Sequence, residues 1–116
     1  MQIAVIHNSF EKAPKTVAFV EVGNIDVIGV EQALEYAYMR TQNIHGSWSK
    51  PETIIWSGKV MQNMDYHKDI TVMSDLPRNN DGFEIGIRST MTGDHMLVGN
   101  KKYVVDMVGF KQLEEV

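Results

Sequence analysis

One stretch of the chain carries a long apolar stripe at helical period. Val30, Ala33, Leu34, Ala37, Tyr38 and Thr41 fall at i, i+3, i+4, i+7, i+8 and i+11, which is a single face of an α-helix. The spacing predicts a helix over Asp26–Asn43, with Glu31 in its first turn and Arg40 in its last, as the helix dipole favours. Gly29 and Asp26 both qualify as its N-cap. Asn43–Gly46 ends it, and Pro51 follows. Elsewhere the apolar residues come in short β-branched runs separated by Gly, Asn and Pro. One amphipathic helix among many short strands has to bury its stripe against a sheet. The fold class is therefore α+β, with one main helix packed on a curved, mostly antiparallel sheet of about five to seven strands.

Met1–Ile6 and Thr16–Val22 read as the first two strands, joined as a hairpin through the polar loop around Pro14. Thr53–Trp56, Asp69–Ser74, Phe83–Arg88, His95–Val98 and Tyr103–Val108 read as further strands, the last two joined at Gly99-Asn100. The C-terminal hairpin suggests partial closure into a small barrel, which would limit exposed edges. Lys59–His67 is ambiguous: Val60, Met61 and Met64 fit a helical turn, while Asp65-Tyr66-His67 fits neither pattern well. Leu76–Gly82 is the most turn-rich stretch and is expected as an exposed loop. Met96 and Met107 fall in predicted strands and are expected in the core. Met61 and Met64 suit either a core or an adaptable binding face. Phe110 and Leu113 should pack back on the core, and the Glu114-Glu115 tail should be solvated. At 116 residues, with no repeat and no linker-like tract, residues 1–116 form a single domain.

Several function classes drop out. The sequence has no cysteine, which excludes disulfides, thiolate catalysis and Cys-type zinc sites. A net charge of −4 argues against a nucleic-acid partner. No apolar run approaches the length of a membrane span, and the first residues lack the basic start of a secretory signal. Walker, G-x-G-x-x-G, G-x-S-x-G and HExxH patterns are all missing, so no cofactor and no catalytic residue is assigned. The nearest approach to a metal pattern is Asp65, His67 and Asp69, which would share one face of a strand. A polar edge strand explains them better, and no metal is assigned.

Two places stand out as binding candidates. Trp48 sits among polar neighbours, either as a half-exposed aromatic anchor or as a ring folded back over the helix C-terminus. The segment Arg88-Ser89-Thr90-Met91-Thr92-Gly93-Asp94 is dense in hydroxyls. Arg88, Ser89, Thr92 and Asp94 would make either a polar pocket for a small anion, with Arg88 as the fork, or a turn in which Arg88 pairs with Asp94.

That segment, followed by Lys102-Tyr103-Val104-Val105-Asp106-Met107-Val108-Gly109-Phe110, resembles a pattern in uncharacterised small proteins of tailed phages. There it reads R-S-x-S/T-x-G-D, an apolar strand, Y-x-V, and G-F or G-W. A looser similarity is to YodL-like domains of mobile elements. The predicted helix and the run Asn43-Ile44-His45-Gly46-Ser47-Trp48 are similar to the stretch preceding that ending. Thr92 stands where serine is more usual, and Met91 where valine is. The resemblance covers about half the chain. It implies a phage origin and residence in the host cytoplasm, and implies no activity.

The expected function is that of a phage accessory protein, a non-enzymatic binding module acting on a host protein in anti-defence or host takeover. A nucleotide-like small ligand, bound or hydrolysed at Arg88–Asp94, is the alternative. A minor virion component is the third reading.

Overall fold

The computed structural model describes residues 1–51 and 53–113. Among them, six strands form one antiparallel sheet in the order β5-β2-β1-β6-β7-β8. These are β1 (Gln2–His7), β2 (Lys15–Glu21), β5 (Ile70–Val72), β6 (His95–Val98), β7 (Lys101–Val105) and β8 (Phe110–Gln112). The remaining two, β3 (Thr53–Trp56) and β4 (Lys59–Gln62), pair only with each other across the Ser57-Gly58 turn. Strand alternation puts Ile3, Val5, Ala18, Val20, Ile70, Met96, Val98 and Val105 on one face. All eight are buried, and they form the core with Ala33, Leu34, Ala37 and Trp48.

The α+β class and the main helix agree with the sequence reading. The barrel does not, because the sheet is open. β5 and β8 are its two edges, each only three residues long. Edges this short manage exposure without closure, because little unpaired backbone is left on show.

The helix is also divided. Gly29 adopts φ 86°, which only glycine takes without strain, and it separates α1 (Ile25–Ile28) from α2 (Val30–Arg40). Asn24 caps α1 by accepting from the Asp26 backbone N–H. The predicted stripe is otherwise sound: Ala33, Leu34 and Ala37 are buried, and the Thr41 hydroxyl closes the last turn by donating to the Ala37 carbonyl at 2.9 Å.

Lys59–His67 resolves as β4 followed by a turn region. Phe83–Arg88 is not a strand. Only Glu84 bridges, to Arg78, and the Ile87 N–H donates to Ser49 Oγ at 2.7 Å instead of to a ladder partner. The last predicted strand ends at Val105 because Gly109 (φ 73°) closes a tight turn in which the Asp106 N–H donates to the Gly109 carbonyl. Met107 therefore projects from the turn at 87 % exposure rather than entering the core, whereas Met96 is fully buried as expected. Met64 is exposed. Phe110 packs against Tyr38 edge-to-face, and the predicted Glu114-Glu115 tail lies outside the described residues.

A bulge in the β1–β2 ladder leaves Val17 without a register partner, since Val5 pairs with Ala18 and Ile6 with Thr16. Two consecutive side chains, Val17 and Ala18, are thus buried, and Lys15 is turned beside His7. This bulge shapes one wall of the cleft described below.

Candidate functional site

The centre of the Arg88–Asp94 segment is the Asp94 carboxylate, which is fully buried. Arg88 grips it with both terminal nitrogens: Nη1 donates to Oδ2 at 2.7 Å and Nη2 to Oδ1 at 2.8 Å. Three backbone N–H groups complete the shell. Asn8 and Ser9 donate to Oδ1, and Met91 donates to Oδ2, at 2.8–3.0 Å. The remaining N–H groups on the two Arg88 terminal nitrogens go to the Ser89 carbonyl and to Glu11 Oε1. Phe10 lies under the guanidinium, 5.3 Å from ring centre to Cζ. A buried carboxylate is tolerated only when so paired, and Asp94 has every partner it needs. The assembly ties the β1–β2 loop to the turn before β6, which are distant in sequence.

Gly93 makes that turn possible. Its φ of 95° is a glycine conformation, and an added Cβ would come within 2.6 Å of Ser9 Oγ. That hydroxyl donates to the Thr92 carbonyl at 2.7 Å. Gly93→Ala should therefore cost about 1–3 kcal/mol of stability, read as a lower urea midpoint. An unchanged midpoint would contradict this account of the turn.

His7 lies behind the pair, buried, with Nε2 sharing a 3.0 Å hydrogen bond with the Thr90 hydroxyl and standing 3.9 Å from Asp94 Oδ2. Burial pushes its pKa down, and the Arg88 charge adds to that, against opposing pulls from Asp94 and Glu11. Burial also lowers His95, helped by Lys102. Burial would raise the Asp94 carboxyl, but the Arg88 hydrogen bonds and the three backbone donors outweigh it and hold it well below the usual range. Glu11 is lowered too, where Arg88 overrides its partial burial.

All four shifts act in one direction. The unfolded histidines take up protons near pH 6.5, before the folded ones do, so stability falls as pH drops below about 6.5. The unfolded carboxyls protonate near pH 4, before the folded ones, so a second loss begins below about 4. Urea midpoints measured from pH 8 to 3 should be flat at first and then fall in these two stages. A midpoint that rises between pH 7 and 5 would contradict the buried neutral His7.

Trp48 is fully buried, so it is not an exposed anchor. Its indole N–H donates to the Arg88 carbonyl at 2.9 Å, and its ring meets His7 edge-on at 6.3 Å. The polar neighbours that make it look stranded in the sequence all have structural work. Asn43 accepts from the Trp48 N–H and donates to the Ile87 carbonyl. Ser49 holds Ile87, as above, and Asn63 donates to the carbonyls of Ser47 and Lys50. The Ser89 hydroxyl accepts from the Asn43 N–H at 2.8 Å.

Trp48, Arg88, Ser89 and Asp94 are therefore brought together, as a brace with few free groups. Thr92 is not part of it. Its exposed side chain lines a different hollow, on the α2 side.

Of the Asp65, His67 and Asp69 trio only two meet: His67 Nδ1 lies 3.6 Å from Asp69 Oδ2, while Asp65 is engaged elsewhere. Asp65 Oδ2 accepts three consecutive backbone N–H groups, from Ile44, His45 and Gly46, at 2.7–2.8 Å. Asp69 accepts from the Tyr36 hydroxyl at 2.6 Å. Among the described residues, no group of three or more acidic or histidine side chains is placed to hold a metal ion.

Two concave surfaces flank the brace. A cleft of about 470 Å³ opens over His7, Glu11, Lys15 and Arg88, with Ser74–Pro77 as its far wall. Its one forked cation, Arg88, is already committed to Asp94 and Glu11. The second hollow, of about 320 Å³, lies between α2 and the β7–β8 turn. Tyr38 and Phe110 are among its lining residues, with Met39, Met107, Glu35 and Asp106. Sequence reasoning missed this groove. Met107 and Val108 were hidden inside an overlong strand, and the one available signal was the Gly109 that ends it.

No protein-family model, no curated protein and no solved structure matches the chain. Among the described residues no helix is long and apolar enough to cross a membrane.

Proposed function

We propose that this protein is a non-enzymatic binding module that acts on another protein, and that it does so as a phage accessory protein in the host cytoplasm. The observation that carries the reading is the exposed apolar rim of the α2 groove. Met39 is 58 % exposed and Met107, on the tight turn between β7 and β8, 87 %, and both line the hollow. Large apolar side chains grouped around a hollow are the usual mark of a contact surface, whereas scattered ones need no explanation. The phage setting rests on the resemblance of the Arg88–Asp94 and Tyr103–Phe110 segments. The nucleotide-like alternative is weakened because Arg88 has no terminal N–H left for a ligand.

The test is capture of tagged protein from a bacterial host, with the eluate weighed by native mass spectrometry. Wild type should retain a protein in defined stoichiometry, and Met107→Asp should fold normally and lose it. A small molecule retained in place of a protein, or retention indifferent to Met107→Asp, would overturn the reading.

A further inference from the structure

The groove has a chemistry that narrows its partner. Its rim is acidic on both sides. Glu35 and Asp106 line it, and Glu31 Oε1 stands 3.6 Å from where a Cβ on Gly109 would sit. Glu31 and Glu35 lie one turn apart on α2, so both face along the same side as Met39. Among the described residues no lysine or arginine lines the hollow. Two basic residues on the flanking elements are turned elsewhere. Arg40 lies over the Tyr36 ring at 5.5 Å, and Lys111 alternates with Phe110 and so points to the opposite face of the sheet. Among the described residues none of the three carboxylates has a cation within ion-pair distance, although Asp94 and Glu11 show that this chain pairs its carboxylates elsewhere. Like charges at i,i+4 on the helix and across the turn repel one another, a small cost that a cationic partner would remove. The floor between them is apolar and adaptable. Tyr38 and Phe110 make a fixed edge-to-face pair, and Met39 and Met107 are unbranched side chains able to re-pack around an entering group.

We infer that the groove between α2 and the β7–β8 turn receives a basic, amphipathic segment of a partner protein. An apolar side chain of that segment seats between Met39 and Met107, and its lysines or arginines face Glu31, Glu35 and Asp106. This rests on the binding-module reading and specifies the chemistry of its partner. A hollow of about 320 Å³ is at the small end for a ligand site and suits an anchoring side chain rather than a whole cofactor.

The experiment uses the full chain, methyl-labelled at methionine, and three synthetic peptides: an amphipathic Leu–Lys peptide, its Leu–Glu counterpart, and a Ser–Lys peptide with the leucines removed. The Leu–Lys peptide should shift the Met39 and Met107 methyl signals. It should leave that of Met73, which follows β5 at the opposite edge of the sheet, unmoved. It should bind about tenfold more tightly than either control. Glu35→Lys with Asp106→Lys should weaken it about tenfold, and raised salt should weaken it too. Phe83→Ser, an exposed apolar change in a remote loop, should do nothing. Equal binding of the Leu–Glu peptide, or shifts that bypass Met39 and Met107, would overturn the inference.

The same charge-reversed variant, used in the capture experiment, separates the two levels. If Met107→Asp abolishes protein capture while the reversal of Glu35 and Asp106 leaves it intact, the binding module stands and the basic partner falls. If no protein is captured by wild type, the parent reading falls first.

Discussion

Replacing Asp94 with alanine should cost about 3–5 kcal/mol, the range seen when one partner of a buried ion pair is removed. The loss is large because the carboxylate serves five donors at once, and its removal strands Arg88 together with the backbone N–H groups of Asn8, Ser9 and Met91. A domain of this size has a total stability of about 5–15 kcal/mol, so Tm should drop by roughly 10 °C or more. Asp94→Asn should recover little. The amide offers a single acceptor oxygen, and its NH2 would face donors. Arg88→Lys should be milder than Asp94→Ala, since an ammonium still neutralises Asp94 but lacks the planar fork. Urea unfolding checks the order. If Asp94→Ala and wild type unfold at the same midpoint, the cluster is not a brace, and its charged groups become available for ligand chemistry.

Trp48→Ala should be comparably severe, at about 3–5 kcal/mol, because among the described residues it empties the largest fully buried side-chain site. Trp48→Phe separates the two contributions. It keeps most of the apolar contact and leaves the Arg88 carbonyl without the indole donor, a loss of about 1–3 kcal/mol. The expected order of urea midpoints is wild type, then Phe, then Ala. A Trp48→Ala protein as stable as wild type, with partner capture lost, would restore Trp48 as a surface anchor.

The helix was legible because its stripe runs over three turns, and hairpin strands were legible because each ends in a turn residue. β8 was not, since three residues carry no period. Phe83–Arg88 looked like a strand because apolar residues alternate there. What occupies the place of a neighbouring strand is a pair of serines: Ser47 and Ser49 pack where a Cβ on Gly86 would sit, and Ser49 takes the Ile87 N–H. Side-chain oxygens acting as a ladder leave no period in a sequence. Trp48 misled in the same manner, because its polar neighbours point away from solvent, into backbone groups it helps to bury. The Arg88–Asp94 pairing was readable as one of two options, whereas Glu11, His7 and Phe10 joined it only through the fold. Their positions, some eighty residues upstream in the chain, gave no local sign.

The division of labour between brace and groove is tested most directly by partner capture per folded molecule, compared between Arg88→Lys and Met107→Asp. Folded protein is counted from each variant's own urea curve. Arg88→Lys should lower the midpoint and leave capture per folded molecule at the wild-type level. Met107→Asp, at a position already exposed to solvent, should leave the midpoint unchanged and abolish capture. The opposite pattern, with capture lost in a well-folded Arg88→Lys protein and retained in Met107→Asp, would contradict the account and return the binding site to the Arg88–Asp94 segment.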